Sequence, residues 1–337
     1  MRRGKHAKTR AIKIQFMPYS KRKKKVHYKN IVFLLAVIII IIACIKMPKN
    51  NEEQTQEAKK QEEIAQNKDN QNNAEEETAE NQTIETANEQ VQTIDNNVAS
   101  LIEQIRTTNN LNENNFAFFF LNLDNNQYYY YNENKYFKAA STIKVPVAMI
   151  YYDKIANGEL KKEDKLTYHQ DDYEEGNGST SARYNVGDGV PISFLLEQSI
   201  VNSDNTANNI LINNLGYEEY RKQIAKYSQE NLIEQFYDEN IETPAYCLDV
   251  LQYLEQNSNK YAELIELMKK SSEGLYLKQN ISQYEIAHKY GSYENYVHDY
   301  GIIYGKNTYL VGVFTQGVSE ANQLIAKIAE EIIKEVE

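Results

Sequence analysis

Cysteine is nearly absent from this chain: of 337 residues, only Cys44 and Cys247 carry a thiol. Cys44 lies in an apolar run and Cys247 stands alone in the polar remainder. That remainder can therefore form no internal disulfide and no cysteine-based zinc cluster. Cys247, in "ETPAYCLDVLQYL", reads as a small apolar residue on a helix. Acid is missing from residues 1–30, which hold twelve Lys and Arg. The rest of the chain reverses the balance, with 25 Lys and Arg against 48 Asp and Glu. A basic tail of this kind fits nucleic acid or anionic lipid, and the next stretch decides between them.

Polar side chains are what that stretch lacks. From Ile31 to Ile45, "IVFLLAVIIIIIACI" has none except Cys44. The run falls short of the ~20 residues a spanning helix needs, but Lys29 and Lys46 extend its usable length by snorkelling. Cations on its N-terminal side set its orientation. We therefore expect a basic cytoplasmic tail over 1–29, a single-pass signal anchor in the cell membrane over 30–47, and an extracytoplasmic remainder. The alternative is a lipoprotein anchored at Cys44, since "IIAC" (Ile41–Cys44) is similar to a lipobox. Nucleic acid is not an expected partner: the cations stop at the membrane and the acidic remainder repels phosphate.

Aromatics are missing from residues 48–94, where Glu, Gln and Asn surround scattered Ile and Val. Such a composition cannot bury a core, so the stretch reads as a disordered acidic and polar linker. As a coil it would reach on the order of 40 Å, enough to hold a domain away from the bilayer and within reach of a cell wall.

The remaining residues, 95–337, read as one folded domain. "DNNVASLIEQIRTT" places Val98, Leu101, Ile102 and Ile105 on one helical face behind a cap at Asp95 or Asn96. "NFAFFFLNLDNNQYYYYNEN" is a hairpin signal with its turn at Asp124–Asn126. Residues of about 145–280 are mostly helical by period, with loops at "DDYEEGNGSTSARYNVGDG" and around Gly216. Strands follow near "YGIIYG" and "YLVGVFTQG", joined at Gly305–Asn307, and the chain closes on an amphipathic helix capped by Ser319. The expected fold class is α+β: an antiparallel sheet of about five strands flanked by helices, with an all-α subdomain inserted.

Three short stretches carry chemistry. In "FKAASTIKVP" the hydroxyl of Ser141 opens an apolar helical run, where a serine is ordinarily a cap. Lys144 follows at i+3 on the same helical face. An ordinary lysine, with pKa ~10.4, is no base at neutral pH, so burial or a neighbouring cation must lower it for catalysis. "IVNSDNTANNIL" contains Ser203-Asp204-Asn205 before an apolar helix. "IAHKYGS" contains Lys289-Tyr290-Gly291-Ser292 at what reads as a strand end.

In this order, the three stretches resemble the S-x-x-K, S-D-N and K-T-G motifs of class A serine β-lactamases and penicillin-binding proteins. The resemblance covers about residues 96–337 and implies a β-lactamase/transpeptidase-like fold. It also implies roles. Ser141 would be the acylated nucleophile, and Lys144 its proton acceptor or the relay to one. Ser203 would pass the proton to the leaving nitrogen, while Asn205 binds the substrate amide and orients Lys144. Lys289 would supply positive charge to a substrate carboxylate and help to lower the neighbouring lysine. Tyr290, Gly291 and Ser292 would border the substrate, with the N–H groups of Ser141 and Ser292 forming an oxyanion hole. The implied partner is a β-lactam or a D-Ala-D-Ala-like peptidoglycan stem peptide. No cofactor or metal is expected, since His169, His288 and His298 share no metal spacing.

Two departures from the family pattern stand out. Tyr290 replaces a small hydroxyl residue in the third motif. The E-x-x-L-N signature, whose glutamate activates water for deacylation, is missing between Asn205 and Thr243. Glu234, Asp238 and Glu239 lie in that stretch and read as solvated surface acids. The expectation is thus an acyl-enzyme-forming serine hydrolase. The alternative is a penicillin-binding protein or D,D-peptidase-like domain, or a non-hydrolytic cell-wall binding domain.

Overall fold

The computed structural model describes residues 92–176, 178–271 and 275–337. The expected basic tail, the expected anchor with Cys44 and nearly all of the expected 48–94 linker lie outside the described residues. Among the described residues, no helix is long and apolar enough to cross a membrane.

Aromatic alternation builds the centre of the domain. Strand β2 (Phe116–Asn122) is buried along its whole length, so both of its faces are covered. Ala117, Phe119 and Leu121 join one apolar cluster, and Phe116, Phe118 and Phe120 join another on the opposite side. That split is the period of two expected of a strand. Around β2 lie β1 (Thr93–Ile94), β3 (Gln127–Tyr131), β8 (Glu285–Tyr293), β9 (Tyr296–Tyr304) and β10 (Thr308–Gln316). Their order is β1-β3-β2-β10-β9-β8, and all neighbouring pairs are antiparallel except β1 with β3. Helices α1 (Asn96–Asn109) and α10 (Ala321–Val336) cover one face, sharing a core with Phe118, Val311 and Ile303.

The other face carries the helical layer: α2 (Lys144–Ala156), α3 (Thr180–Arg183), α4 (Ile192–Val201), α5 (Asn205–Leu215), α6 (Tyr217–Ile224), α7 (Glu234–Asp238), α8 (Pro244–Gln256) and α9 (Ser258–Lys269). The α+β architecture read from the sequence is the one observed. Asp95 caps α1 as expected, accepting from the N–H groups of Asn97 and Val98 at 3.1 Å each. Two details differ. Thr93 and Ile94, assigned to the linker, add to the edge of β3 through Thr93 N–H to Asn126 O and Asp95 N–H to Tyr128 O. Both residues are exposed, so no hydrophobic pattern marked them. Ser319 does not cap α10. Glu320, in the left-handed region at φ 53°, holds that position without a side-chain bond.

A two-stranded ladder fixes the stretch leading to Ser141. Strand β4 (Phe137–Lys138) pairs with β7 (Ile241–Glu242), and Ala139 N–H donates to Asn240 O at 2.8 Å. Glu242 is fully buried there. Thr142 Oγ1 lies within hydrogen-bonding distance of both the Ala139 carbonyl oxygen and Glu242 Oε1. A hydroxyl has one proton to give, so both contacts are satisfied when a protonated Glu242 donates to Thr142 and Thr142 donates to Ala139. Burial raises the Glu242 carboxyl to about 7, pulled partly back by Thr142 and Cys247. Cys247, as expected, is a buried residue of α8.

This acid makes stability depend on pH. Glu242 keeps its proton in the fold up to about pH 7, whereas the unfolded chain loses it near 4.5. Folding therefore takes up a proton between these values, and stability falls with rising pH across that window. The contribution is complete below about 4.5 and lost above about 7, on the order of 3 kcal/mol. Urea unfolding of the parent and Glu242→Gln at pH 5 and 8 checks this. The decline is expected to be smaller in the variant, and equal declines contradict it.

Candidate active site

Ser141 sits one turn before helix α2 and not on its first residue. Residues 140–143 form a turn, Lys144 opens the helix, and the cap position belongs to Ile143. Short-range bonds carry the turn, from Lys144 N–H to Ser141 O and from Val145 N–H to Thr142 O, both 3.3 Å. This tight geometry preserves the i, i+3 neighbourhood. The Ser141 hydroxyl is consequently free of capping duty and lies 3.1 Å from Lys144 Nζ.

The second motif joins α4 to α5 and meets Lys144 from the other side. Ser203 takes a left-handed conformation at φ 56°. Lys144 Nζ donates to Ser203 O at 2.8 Å and to Asn205 Oδ1 at 2.7 Å, with Ser203 Oγ farther at 3.3 Å. The two closest partners can only accept. A neutral amine has two N–H bonds and one lone pair, so these acceptors take both hydrogens and leave the lone pair for the Ser141 hydroxyl. Lys144 is 3% exposed, and burial lowers its amine to about 8, with Glu174 and Asp204 opposing. Asp204 holds the local backbone, accepting from Ala207 N–H at 3.1 Å and Thr180 N–H at 3.0 Å.

The third motif lies inside a strand, where the sequence pointed to a strand end. Lys289 is the central residue of the nine-residue β8, paired with Tyr300 of β9. Its fully buried Nζ donates to Ser203 Oγ and to Tyr290 O, both at 3.0 Å. Burial and the proximity of Lys144 push this amine well below its ordinary value. Ser203 Oγ thus stands between two dehydrated amines. Tyr290 turns its ring beside Lys289, whose Nζ is 4.2 Å from the ring centre. The other ring partner is Tyr276, stacked at 4.7 Å. Gly291 permits close passage of β8 over the nucleophile turn. A Cβ there would lie 2.6 Å from Ala139 O and 3.1 Å from Ser141 N. Ser292 follows with its side chain exposed.

Three segments far apart in sequence thus converge on Ser141, Lys144, Ser203, Asn205 and Lys289, and the third brings Tyr290 and Gly291 alongside. Glu234, Asp238 and Glu239, the acids singled out between the second motif and α8, do not reach this group. Glu234 pairs with Arg221, Asp238 accepts from Tyr217, and Glu239 pairs with Lys138. A carboxylate that sequence reasoning missed does reach it. Glu174, in the Gly- and Ser-rich loop, accepts from Asn205 Nδ2 at 2.9 Å. Further along that loop, the Tyr184 ring packs against Phe194.

His288 and His298 are structural. His298 accepts from Thr315 N–H at Nδ1 and reaches Lys138 O through Nε2, with burial lowering it to about 4. His288, beside Lys289, bridges Asp299 and the Ser271 carbonyl at 2.7 Å each. Among the described residues, no group of three His, Cys, Asp or Glu is placed to hold a metal.

Comparison with known proteins follows the same lines. A family model described as the beta-lactamase enzyme family matches residues 98–336. No curated protein matches the chain by sequence. Among solved structures, one similar fold is a PBP-A mutant in an acyl-enzyme complex with penicillin G. It has TM-score 0.63 and 21% identity, covering 72% of this chain and 97% of that one. A beta-lactamase from Sphaerobacter thermophilus matches with TM-score 0.61 and 22% identity over 72% and 97% of the two chains. A TLA-1 extended-spectrum beta-lactamase variant matches with TM-score 0.63 and 20% identity over 71% and 99%.

The loop over the second motif depends on a glycine. Gly178 has φ 105°, and a Cβ on it would fall 2.2–2.3 Å from Asp204 side-chain atoms. Gly187 shares the positive φ, at 96°, but has open space around it. Gly187→Ala is expected to cost only backbone strain, about 1–3 kcal/mol, and Gly178→Ala more. Thermal unfolding of the two variants tests this, and equal losses contradict it.

Proposed function

The chain belongs to the beta-lactamase enzyme family, and from that premise we propose an extracytoplasmic serine hydrolase that acylates Ser141 with β-lactams or D-Ala-D-Ala-like peptides. The observation that carries the proposal is Lys144 Nζ, dehydrated and 3.1 Å from Ser141 Oγ, with its nearest acceptors already satisfied.

The reaction follows from this geometry. Ser141 Oγ attacks the carbonyl carbon as its proton passes to the lone pair of Lys144. The N–H groups of Ser141 and Ser292 receive the negative charge that develops on oxygen. The C–N bond then breaks, and Ser203 Oγ, in contact with both amines, hands a proton to the leaving nitrogen while Lys144 replaces it. The carbonyl ends as an ester on Ser141. A substrate carboxylate arriving near Lys289 favours its charged form, so that lysine becomes cationic when a cation is needed. Asn205, with its Oδ1 committed to Lys144, keeps Nδ2 as the donor for a substrate carbonyl.

A second reading is favoured by one observation: the acids Glu234, Asp238 and Glu239 are spent on surface pairs away from Ser141. With none of these three acids placed to activate water at Ser141, the acyl-enzyme persists, as in a penicillin-binding protein or D,D-peptidase-like domain. A non-hydrolytic wall-binding domain is the limiting form. In either case residues 1–29 and 30–47 would hold the domain outside the cell membrane on the linker of 48–94, with lipidation of Cys44 as the alternative anchor.

Incubation with a fluorescent penicillin tests the proposal. Covalent label is expected on the parent and none on Ser141→Ala, with labelling slowed about 10²–10⁴-fold in Lys144→Ala. Equal label on Ser141→Ala contradicts it. The lifetime of the adduct by intact-protein mass separates the readings, since rapid loss means hydrolysis and minutes or longer means retention.

A further inference from the structure

The sheet edge farthest from Lys289 carries a cleft that the acylation chemistry leaves unused. The order β1-β3-β2-β10-β9-β8 sets β1 and β3 at one end and β8, with its lysine, at the other. The cleft has a volume of about 360 Å³, within the range of about 300–1,000 Å³ usual for small-molecule sites. Its lining includes Ile94 of β1, Asp95 before α1, Asn122 and Gln127 of the β2–β3 hairpin, and Glu335 and Val336 at the end of α10.

Two amides of the hairpin spend their oxygens internally. Asn122 is 4% exposed, and its Oδ1 accepts from the N–H groups of Asp124 and Asn125 at 3.0 and 3.4 Å. Gln127 Oε1 accepts from Asn125 Nδ2 at 2.8 Å. These contacts fix both amide orientations. Neither NH₂ group donates to another described residue. The Asn122 nitrogen is not sealed within protein, so it opens on the cleft that the residue lines. A nearly buried amide with idle donors is an unmet demand for an acceptor.

The free acceptors come from other parts of the chain. Asp95 spends Oδ1 on the α1 cap and keeps Oδ2. Glu335 forms no ion pair or side-chain hydrogen bond among the described residues. Ile94, 55% exposed, and Val336 add apolar surface to the same cleft.

This combination excludes charged ligands of either sign. Amide nitrogens whose oxygens are already committed offer a metal cation only N–H donors. The carboxylates of Asp95 and Glu335 repel an anion, and among the described residues no Lys or Arg lines the cleft. What fits is a neutral ligand that accepts and donates together. Sugar hydroxyls have that double character. An acetamido group has it too, through C=O and N–H, and its methyl matches the apolar surface.

We propose that this cleft binds an N-acetylated saccharide. The acetamido oxygen and neighbouring hydroxyls take the N–H groups of Asn122 and Gln127, the acetamido N–H meets the carboxylates of Asp95 and Glu335, and the methyl packs toward Ile94 and Val336. The site is separate from Ser141, and its occupancy does not require acylation there.

Isothermal titration of the full-length chain in detergent tests this with two neutral trisaccharides. Triacetylchitotriose carries an acetamido group on each ring, and cellotriose carries a hydroxyl in its place. Triacetylchitotriose is expected to bind about tenfold tighter than cellotriose, or more, the effect of one or two hydrogen bonds. Asn122→Asp and Gln127→Glu keep the oxygens that hold the hairpin and remove the idle N–H groups. Each is expected to weaken triacetylchitotriose about tenfold. If circular dichroism shows that Asn122→Asp does not fold, Gln127→Glu, at a half-buried position, carries the comparison. No binding of triacetylchitotriose to the parent up to about 10 mM, the weak end of measurable affinity, overturns the inference. Equal affinity for the two sugars overturns it as well, as does undiminished affinity in the folded variants.

Discussion

Two lysine amines withdrawn from water around one serine hydroxyl are the constraint on which the rest of the site depends. Lys144 and Lys289 reach Ser203 Oγ at 3.3 and 3.0 Å, and both are buried. Dehydration disfavours the charged form of each, and the proximity of Lys144 further disfavours charge on Lys289. Lys144 is thereby brought into the range where an amine can accept a proton from a serine. Neither amine is left without partners, since carbonyl and amide oxygens take their hydrogens. A buried amine lacking those acceptors would be far costlier to keep.

Much of the surrounding fold serves to deliver that geometry from three distant segments. The β4–β7 ladder and the Glu242–Thr142–Ala139 contacts set the turn that carries Ser141. Asp204 ties the second motif to both α5 and the start of α3 at Thr180. His288, held between Asp299 and Ser271, secures the strand position next to Lys289. His298 fastens Lys138 to the sheet from below the nucleophile turn. Each of these groups is polar and buried, and each finds its partner in another part of the chain.

That long-range pairing explains what the sequence could and could not disclose. The aromatic alternation of β2, the Asp95 cap and the short motif spacings are local signals, and they were legible. Strand β8 was not legible as a continuous strand, because "EIAHKYGSY" puts His288 and Lys289 where apolar residues are expected. Their partners lie 17, 11 and 86 residues away at Ser271, Asp299 and Ser203. Glu174 was hidden for a similar reason: in a loop rich in acids and glycine, only folding reveals which carboxylate meets Asn205. Ser141 was placed one turn too late in its element because the turn before α2 and a true N-cap share the same residue preferences. The lysine at i+3 nevertheless remained its neighbour.

The central claim is that Lys144 is a base at neutral to mildly alkaline pH because it is buried. The most direct measurement is the titration of its side-chain ¹³Cε resonance by NMR, assigned by comparison with Lys144→Arg. A midpoint near 8 is expected, from the burial that lowers this amine. A midpoint at or above the ordinary lysine value of about 10.4 would contradict the account.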